Sequence, residues 1–243
     1  MNMNKRNIIR KKYAFLILIV PTFLNSEPLI FGGNNLGTDE MVLKLENSNA
    51  LYYFNGEGDG CEGFKAKFSQ NENTFKFTNV ISNCSNKKLK NFQCSTKIDE
   101  SSLIFSEYLH CDNNLFLYNV NKGVKENLNR NYNGTQVLTS GLKNGITTSN
   151  AKMREKPNTQ STSFTCYFTN IDDDKLKEKE INFIPKTINL TIIAKTITED
   201  SIGDKRNFWY LVFPISDSYN GCYLKDSKQK EGWVFGEYIK FNN

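Results

Sequence analysis

The residues able to do chemistry are few and poorly grouped. The chain has a single histidine, His110, followed directly by Cys111. Neighbours on a strand point to opposite faces, so this pair does not bring a thiolate within hydrogen-bond reach of its base. One histidine also excludes a multi-histidine metal centre and a Cys–His–His peptidase site. The acids gather in two runs, Asp172-Asp173-Asp174 and Glu57, Asp59 and Glu62. Neither has the ordered ligand spacing of a calcium loop, and nothing selects a carboxylate pair for glycoside cleavage. Both read as solvated loops. The chain is therefore expected to be a non-enzyme, with no catalytic residue, no metal site and no cofactor.

What the composition does offer is export chemistry. Lys5, Arg6, Arg10, Lys11 and Lys12 form a basic stretch without an acid, Tyr13 to Val20 open an apolar run that reaches Leu24, and Ser26 is a small residue suited to the position before cleavage. The run holds about a dozen residues against the roughly 20 that span a bilayer, and it contains Pro21. Residues 1–26 thus read as a secretory signal, with no integral membrane segment after processing. That segment holds five of the 31 bases and none of the 26 acids, which leaves a mature balance of 26 against 26. No basic stripe survives to argue for nucleic acid. The expected location is exported, either periplasmic or secreted.

Six cysteines in an exported chain point to disulfides. Cys61, Cys84, Cys94 and Cys111 fall in the first half and Cys166 and Cys222 in the second. Short runs rich in Phe, Tyr, Ile and Thr alternate with Asn, Gly, Asp and Ser clusters, and helical periodicity is absent outside the signal, so the mature chain reads as all-β. A turn at Asn71-Glu72-Asn73-Thr74 sets Phe68 opposite Phe77, Phe64 opposite Ile81 and Cys61 opposite Cys84. Four cysteines allow three pairings. The hairpin register favours Cys61 with Cys84, leaving Cys94 with Cys111, while Cys166 and Cys222 are the remaining pair. Asn, Gly, Lys and Thr dominate from Asn119 to Thr148, with Asn133-Gly134 and Asn144-Gly145 as turn dipeptides. This stretch reads as a linker, although Gln136-Val137-Leu138 has the character of a first strand. The expected organisation is a signal at 1–26, a disulfide-containing antiparallel β domain at 27–130 and a second β domain at 131–243.

Three segments of the last third give that second domain a resemblance. Met153-Arg154-Glu155-Lys156-Pro157, then Phe208-Trp209-Tyr210-Leu211-Val212, then Gly232-Trp233-Val234-Phe235-Gly236-Glu237-Tyr238-Ile239 resemble, in order, the strand motifs of the bacterial SH3-like (SH3b) family. The resemblance covers about residues 135–243 and leaves the first domain unrecognised. It implies a small SH3-like β-barrel, used outside the cytoplasm to hold cell-wall glycopeptide (peptidoglycan) or peptide ligands. The chain departs from the family in two excursions, Asp172 to Glu180 and Ser216 to Gln229. Alternation on the strand 208–213 puts Phe208, Tyr210 and Val212 on one face and Trp209, Leu211 and Phe213 on the other. Both faces are apolar, and the family pattern buries Tyr210 and Val212. Trp209, Leu211 and Phe213 then need a cover, supplied by the 170–180 excursion, the first domain or a ligand. Trp209, Trp233 and Tyr238 are the candidate ligand-binding residues of an aromatic groove. Two other classes stay open: an enzyme inhibitor or hydrolase accessory protein acting through the first domain, and a structural envelope or host-contact protein.

Mass spectrometry of the exported protein is expected to find an N-terminus near Glu27. An intact Met1 on that protein refutes the signal assignment.

Overall fold

The computed structural model describes residues 27–33, 41–54, 63–169, 178–215, 219–224 and 229–242. The signal segment, Cys61 with its expected bond to Cys84, and both acidic runs lie outside the described residues. The described chain is all-β, as its alternation requires, and its one helical element is a 3-10 turn at Gly236–Tyr238.

Eight antiparallel strands close a first barrel in chain order: β1 (Leu29–Gly32), β2 (Met41–Glu46), β3 (Asn49–Phe54), β4 (Gly63–Asn71), β5 (Thr74–Ser82), β6 (Phe92–Ile98), β7 (Glu107–Cys111) and β8 (Phe116–Asn119). Closure pairs β8 back to β1, so the barrel has no free edge. Alternate side chains point inward, and Phe31, Leu43, Phe75, Phe77, Leu109 and Leu117 fill the interior. The β4–β5 hairpin turns at Glu72-Asn73 and sets Phe68 opposite Phe77, in the expected register. Farther along, the pairing shifts. Asn79 adopts a left-handed φ of 53°, which asparagine tolerates, and two residues of β5 then oppose Ala66 alone. Phe64 consequently faces Ser82 rather than Ile81. The bulge turns Val80 into the core and leaves Ile81 40% exposed.

The second half holds β9 (Asn129–Tyr132), β10 (Thr135–Thr147), β11 (Thr165–Thr169), β12 (Glu178–Ile181), β13 (Asn189–Thr196), β14 (Asp200–Ile202), β15 (Lys205–Asn207), β16 (Trp209–Ile215), β17 (Tyr219–Tyr223), β18 (Gly232–Phe235) and β19 (Ile239–Phe241). One sheet runs β18-β16-β13-β10-β19, with β9 also on β10. The stretch expected as a linker is therefore largely sheet. Asn133-Gly134 makes its turn, with φ of 47° and 83° between β9 and β10. Asn144-Gly145 does not turn. It lies inside β10, where a Cβ on Gly145 would stand 2.9 Å from Ile192 Cδ1, so glycine serves close strand packing. The remaining connection, between β8 and β9, is tied to the barrel: the Val120 amide donates to the Ile30 carbonyl and the Val124 amide to the Ile104 carbonyl.

Both excursions from the family pattern contribute strands. β12 and β17 flank β11 in a three-stranded sheet, stapled by Cys166–Cys222 across directly opposed residues. Cys94–Cys111 joins β6 and β7 in the same fashion. Both bonds follow the expected pairing. The stapled sheet covers one face of the main sheet, where Cys166 and Cys222 pack with Met153, Phe164, Leu190 and Val212.

The other face of β16 is closed from the first half of the chain. Leu103, Ile104 and Phe105, which sit between β6 and β7, pack with Trp209, Leu211, Ile193 and Trp233. The two faces divide as alternation predicts, with Val212 in one cluster and Trp209 and Leu211 in the other. Of the three covers open to the sequence, the first barrel supplies this one. Local hydrogen bonds set the covering segment: Asp99 Oδ1 accepts from the Ser101 and Ser102 amides at 3.0 and 3.1 Å, and Ser102 Oγ accepts from the Ile104 and Phe105 amides, both at 3.2 Å. Such side-chain caps fix a turn without regular structure.

Replacing Trp209 by Ala is expected to cost about 3 to 5 kcal/mol, as deletion of a buried aromatic does. Ile104→Ala should couple to it by roughly 0.5 to 3 kcal/mol in a double-mutant cycle read by urea unfolding. Strict additivity of the two losses refutes the shared core.

Candidate functional site

The residues expected to line an aromatic groove are held by the core. Trp209 is 3% exposed and Trp233 1%. The Trp209 ring stands edge-on to Phe235 at 5.4 Å, and its indole N–H donates to Asp200 Oδ2 at 2.9 Å. Burial of an indole is tolerable when its one donor is satisfied, and here the β14–β15 hairpin meets that need. Tyr238 is half-buried between the two clusters of the sheet, 6.4 Å from Phe235. Neither indole offers a free face to a ligand. The groove reading assigned the cover of β16 to a ligand, whereas the Leu103–Phe105 segment occupies that place.

The three motifs behind the resemblance do meet. The Arg154 amide donates to the Trp233 carbonyl and the Trp233 amide to the Arg154 carbonyl, each at 2.8 Å, and Trp233 lies opposite Leu211. Arg154 Nη1 also donates to the Ser161 carbonyl at 2.7 Å. Gly232 lets this junction close, because a Cβ there would stand 2.8 Å from Met153 and Phe164 side-chain atoms.

Beside the buried indoles lies a cleft of about 260 Å³. Its apolar floor is Leu103, Ile104, Ile193 and Leu211, and its polar lining is Asp99, Ser101, Ser102, Tyr118, Tyr132 and Glu231. It thus sits at the seam between the first barrel and the main sheet. Tyr132 is the organising residue. Its hydroxyl donates to Glu231 Oε1 at 2.8 Å, Gln229 Nε2 donates to the Glu231 carbonyl at 2.9 Å, and the Tyr132 ring meets Trp233 edge-on at 6.2 Å. Burial, and then the Glu231 carboxylate as both neighbouring charge and hydrogen-bond acceptor, push the Tyr132 pKa well above the ordinary tyrosine value.

Tyr118 extends the cleft onto the outside of the first barrel. It packs edge-on against Phe116 at 5.1 Å, and Phe116 lies 4.6 Å from Tyr108. Phe116 is 40% exposed. The result is a strip of aromatic faces leading into a polar cleft. His110 is exposed on the same side of β7, while Cys111 points inward in its disulfide, so the two are separated as strand alternation requires. No cluster of metal-ligating side chains occurs among the described residues. No described helix is long and apolar enough to cross a membrane.

No family model, curated protein or solved structure matches this chain.

Tyr132 and Glu231 are not singled out by sequence. Tyr132 sits in the Asn-rich stretch that reads as linker, and Glu231 is one of many charged residues near the last excursion; 99 residues separate them. The Asp99-Glu100-Ser101-Ser102 run before Leu103 is the one usable signal, since it is turn-capping chemistry followed by exposed-looking apolar residues.

The folded chain holds Tyr132 protonated where the unfolded chain lets it ionise at about pH 10. Its contribution is complete below that pH and is lost as pH rises above it. Burial, with Glu199 nearby, raises the Tyr210 pKa as well. The melting temperature is therefore expected to fall above about pH 10, and to fall less steeply in Tyr132→Phe than in the wild type. Identical alkaline profiles refute the Tyr132 linkage.

Proposed function

We propose that this is a non-enzymatic, exported binding protein whose SH3b-like C-terminal half takes cell-wall glycopeptide or peptide ligands in the seam cleft. The observation that carries this reading is the cleft itself. An apolar floor is bordered by two tyrosines, two serines and two carboxylates, the mixture of a shaped apolar surface and a few convergent polar groups that marks ligand sites. Glycopeptides present hydroxyls, amides and free amino groups, which Glu231, Asp99 and the serines match as acceptors. Tyrosine rings add flat contact area at low entropic cost. The strip of Tyr118, Phe116 and Tyr108 gives an extended ligand room to continue beyond the cleft.

The resemblance contributes the ligand class, and its support is the meeting of Arg154, Leu211 and Trp233 on adjoining backbone. Trp233 and Tyr238 then act from beneath the site: Trp233 backs the Tyr132 ring, and Tyr238 packs against the same core. The export reading is supported by the two disulfides, which persist in oxidising compartments.

Sedimentation with purified cell-wall sacculi tests the proposal. The wild type is expected to co-sediment saturably, and Tyr132→Ala and Glu231→Gln each to weaken binding about tenfold or more, or ~1.4 kcal/mol. Wild-type protein that stays in the supernatant, or variants that bind as well as the wild type, refutes it. Release of soluble wall fragments by the purified protein would overturn the non-enzymatic reading.

A further inference from the structure

The first barrel has an opening of its own. At the end where the β2–β3 and β4–β5 turns lie, its inward-facing side chains change character. Phe77, Leu109 and Leu117 keep the middle apolar, but the inward positions nearest the mouth are Thr96, Glu107 and Asn119. These frame a cavity of about 320 Å³ whose apolar wall is Leu29, Leu45, Phe68 and Phe75. Mouths of β-barrels are a recurring place for small ligands, and an eight-stranded barrel is wide enough to hold one.

Glu107 is the fixed group of this mouth. Its side chain is 16% exposed. Oε1 accepts from Asn119 Nδ2 at 2.7 Å and Oε2 from Lys122 Nζ at 2.7 Å. Asn119 is itself wholly buried, and its Oδ1 accepts from the Asn121 amide at 3.1 Å. A barrel end that needs only a plug is closed more cheaply by apolar side chains, because a desolvated carboxylate and amide are costly. Here they are oriented beside an apolar hollow. Glu27, Glu46 and Glu72 join Glu107 in the lining, against one cationic side chain, Lys122; cleavage before Glu27 adds that residue's α-ammonium, which leaves acids in excess of cations. Glu46 is paired with Lys44 at 2.8 Å, whereas Glu27 and Glu72 make no ion pair among the described residues.

We propose that the barrel mouth binds a small amphiphile with an apolar body and a primary ammonium head. The body lies on Leu29, Leu45, Phe68 and Phe75. The head faces Glu27 and Glu72, with Glu107 as a further acceptor, and the Phe68 ring offers a face to the cation. At about 320 Å³ the cavity exceeds the roughly 150 Å³ that holds a benzene ring. This site is separate from the seam cleft and does not depend on its reading.

Three probes that share a phenylethyl body test it by calorimetry in low salt: 2-phenylethylammonium, 2-phenylethanol and 3-phenylpropionate. The ammonium is expected to bind saturably, about tenfold tighter than the alcohol, and the carboxylate weakest, with the preference shrinking as salt screens the rim. Glu27→Gln/Glu72→Gln should reduce the ammonium to the level of the alcohol at an unchanged melting temperature. Glu231→Gln, in the seam cleft, should leave the ammonium unaffected. In nuclear magnetic resonance titrations the Leu45 methyl and Phe75 ring signals should move. Absence of saturable ammonium binding, equal binding of all three probes, or shifts that spare Leu45 and Phe75 overturns the proposal.

Discussion

A strand that is apolar on both faces must be covered twice, and β16 is that strand. One cover is the disulfide-stapled sheet of β11, β12 and β17, through Cys166 and Cys222. The other is a loop of the first barrel, through Leu103, Ile104 and Phe105. The second cover makes the two halves of the chain one packed body at this point, because the apolar area removed from water there belongs to both. The cleft is a product of the same contact. It forms where the covering segment stops and the polar side chains around it, Asp99 on one side and Glu231 on the other, have no apolar surface left to seal.

Much of this was legible in the residues. The all-β class, the Phe68–Phe77 hairpin register, the Asn133-Gly134 turn and the separation of His110 from Cys111 follow from period-two alternation and turn chemistry. So does the division of β16 into two apolar faces. What resisted reading has particular causes. Asn144-Gly145 has the composition of a turn but the packing demand of a strand, which only the neighbouring Ile192 reveals. The Asn79 bulge inserts one residue into β5 and moves Phe64 from Ile81 to Ser82, a shift that pattern alone does not encode. The candidate site was the least legible part, since Tyr132 and Glu231 belong to segments with no periodic signal and meet only through tertiary structure.

The fate of the two tryptophans shows why an aromatic surplus is ambiguous. Trp209 has a buried partner for its N–H in Asp200, and Trp233 backs Tyr132. Both are spent on packing, and the exposed aromatic area moves to Tyr118, Phe116 and Tyr108 on a different sheet. Large aromatics serve cores and interfaces by the same physics, so the choice between those roles is made by whatever else covers them.

The covering loop has a consequence for anyone who would divide the chain. Leu103–Phe105 lies inside the first barrel's sequence, between β6 and β7, while the face that it shields belongs to residues after 190. A fragment cut at the change of sheets, anywhere between Asn119 and Asn129, leaves Trp209, Leu211 and Ile193 without that shield. Such a piece would keep its own disulfide and its strand order yet present a continuous apolar patch, the kind of surface that drives self-association. A soluble truncation must therefore carry the loop with it or replace those side chains, and the natural unit for expression is the joined pair.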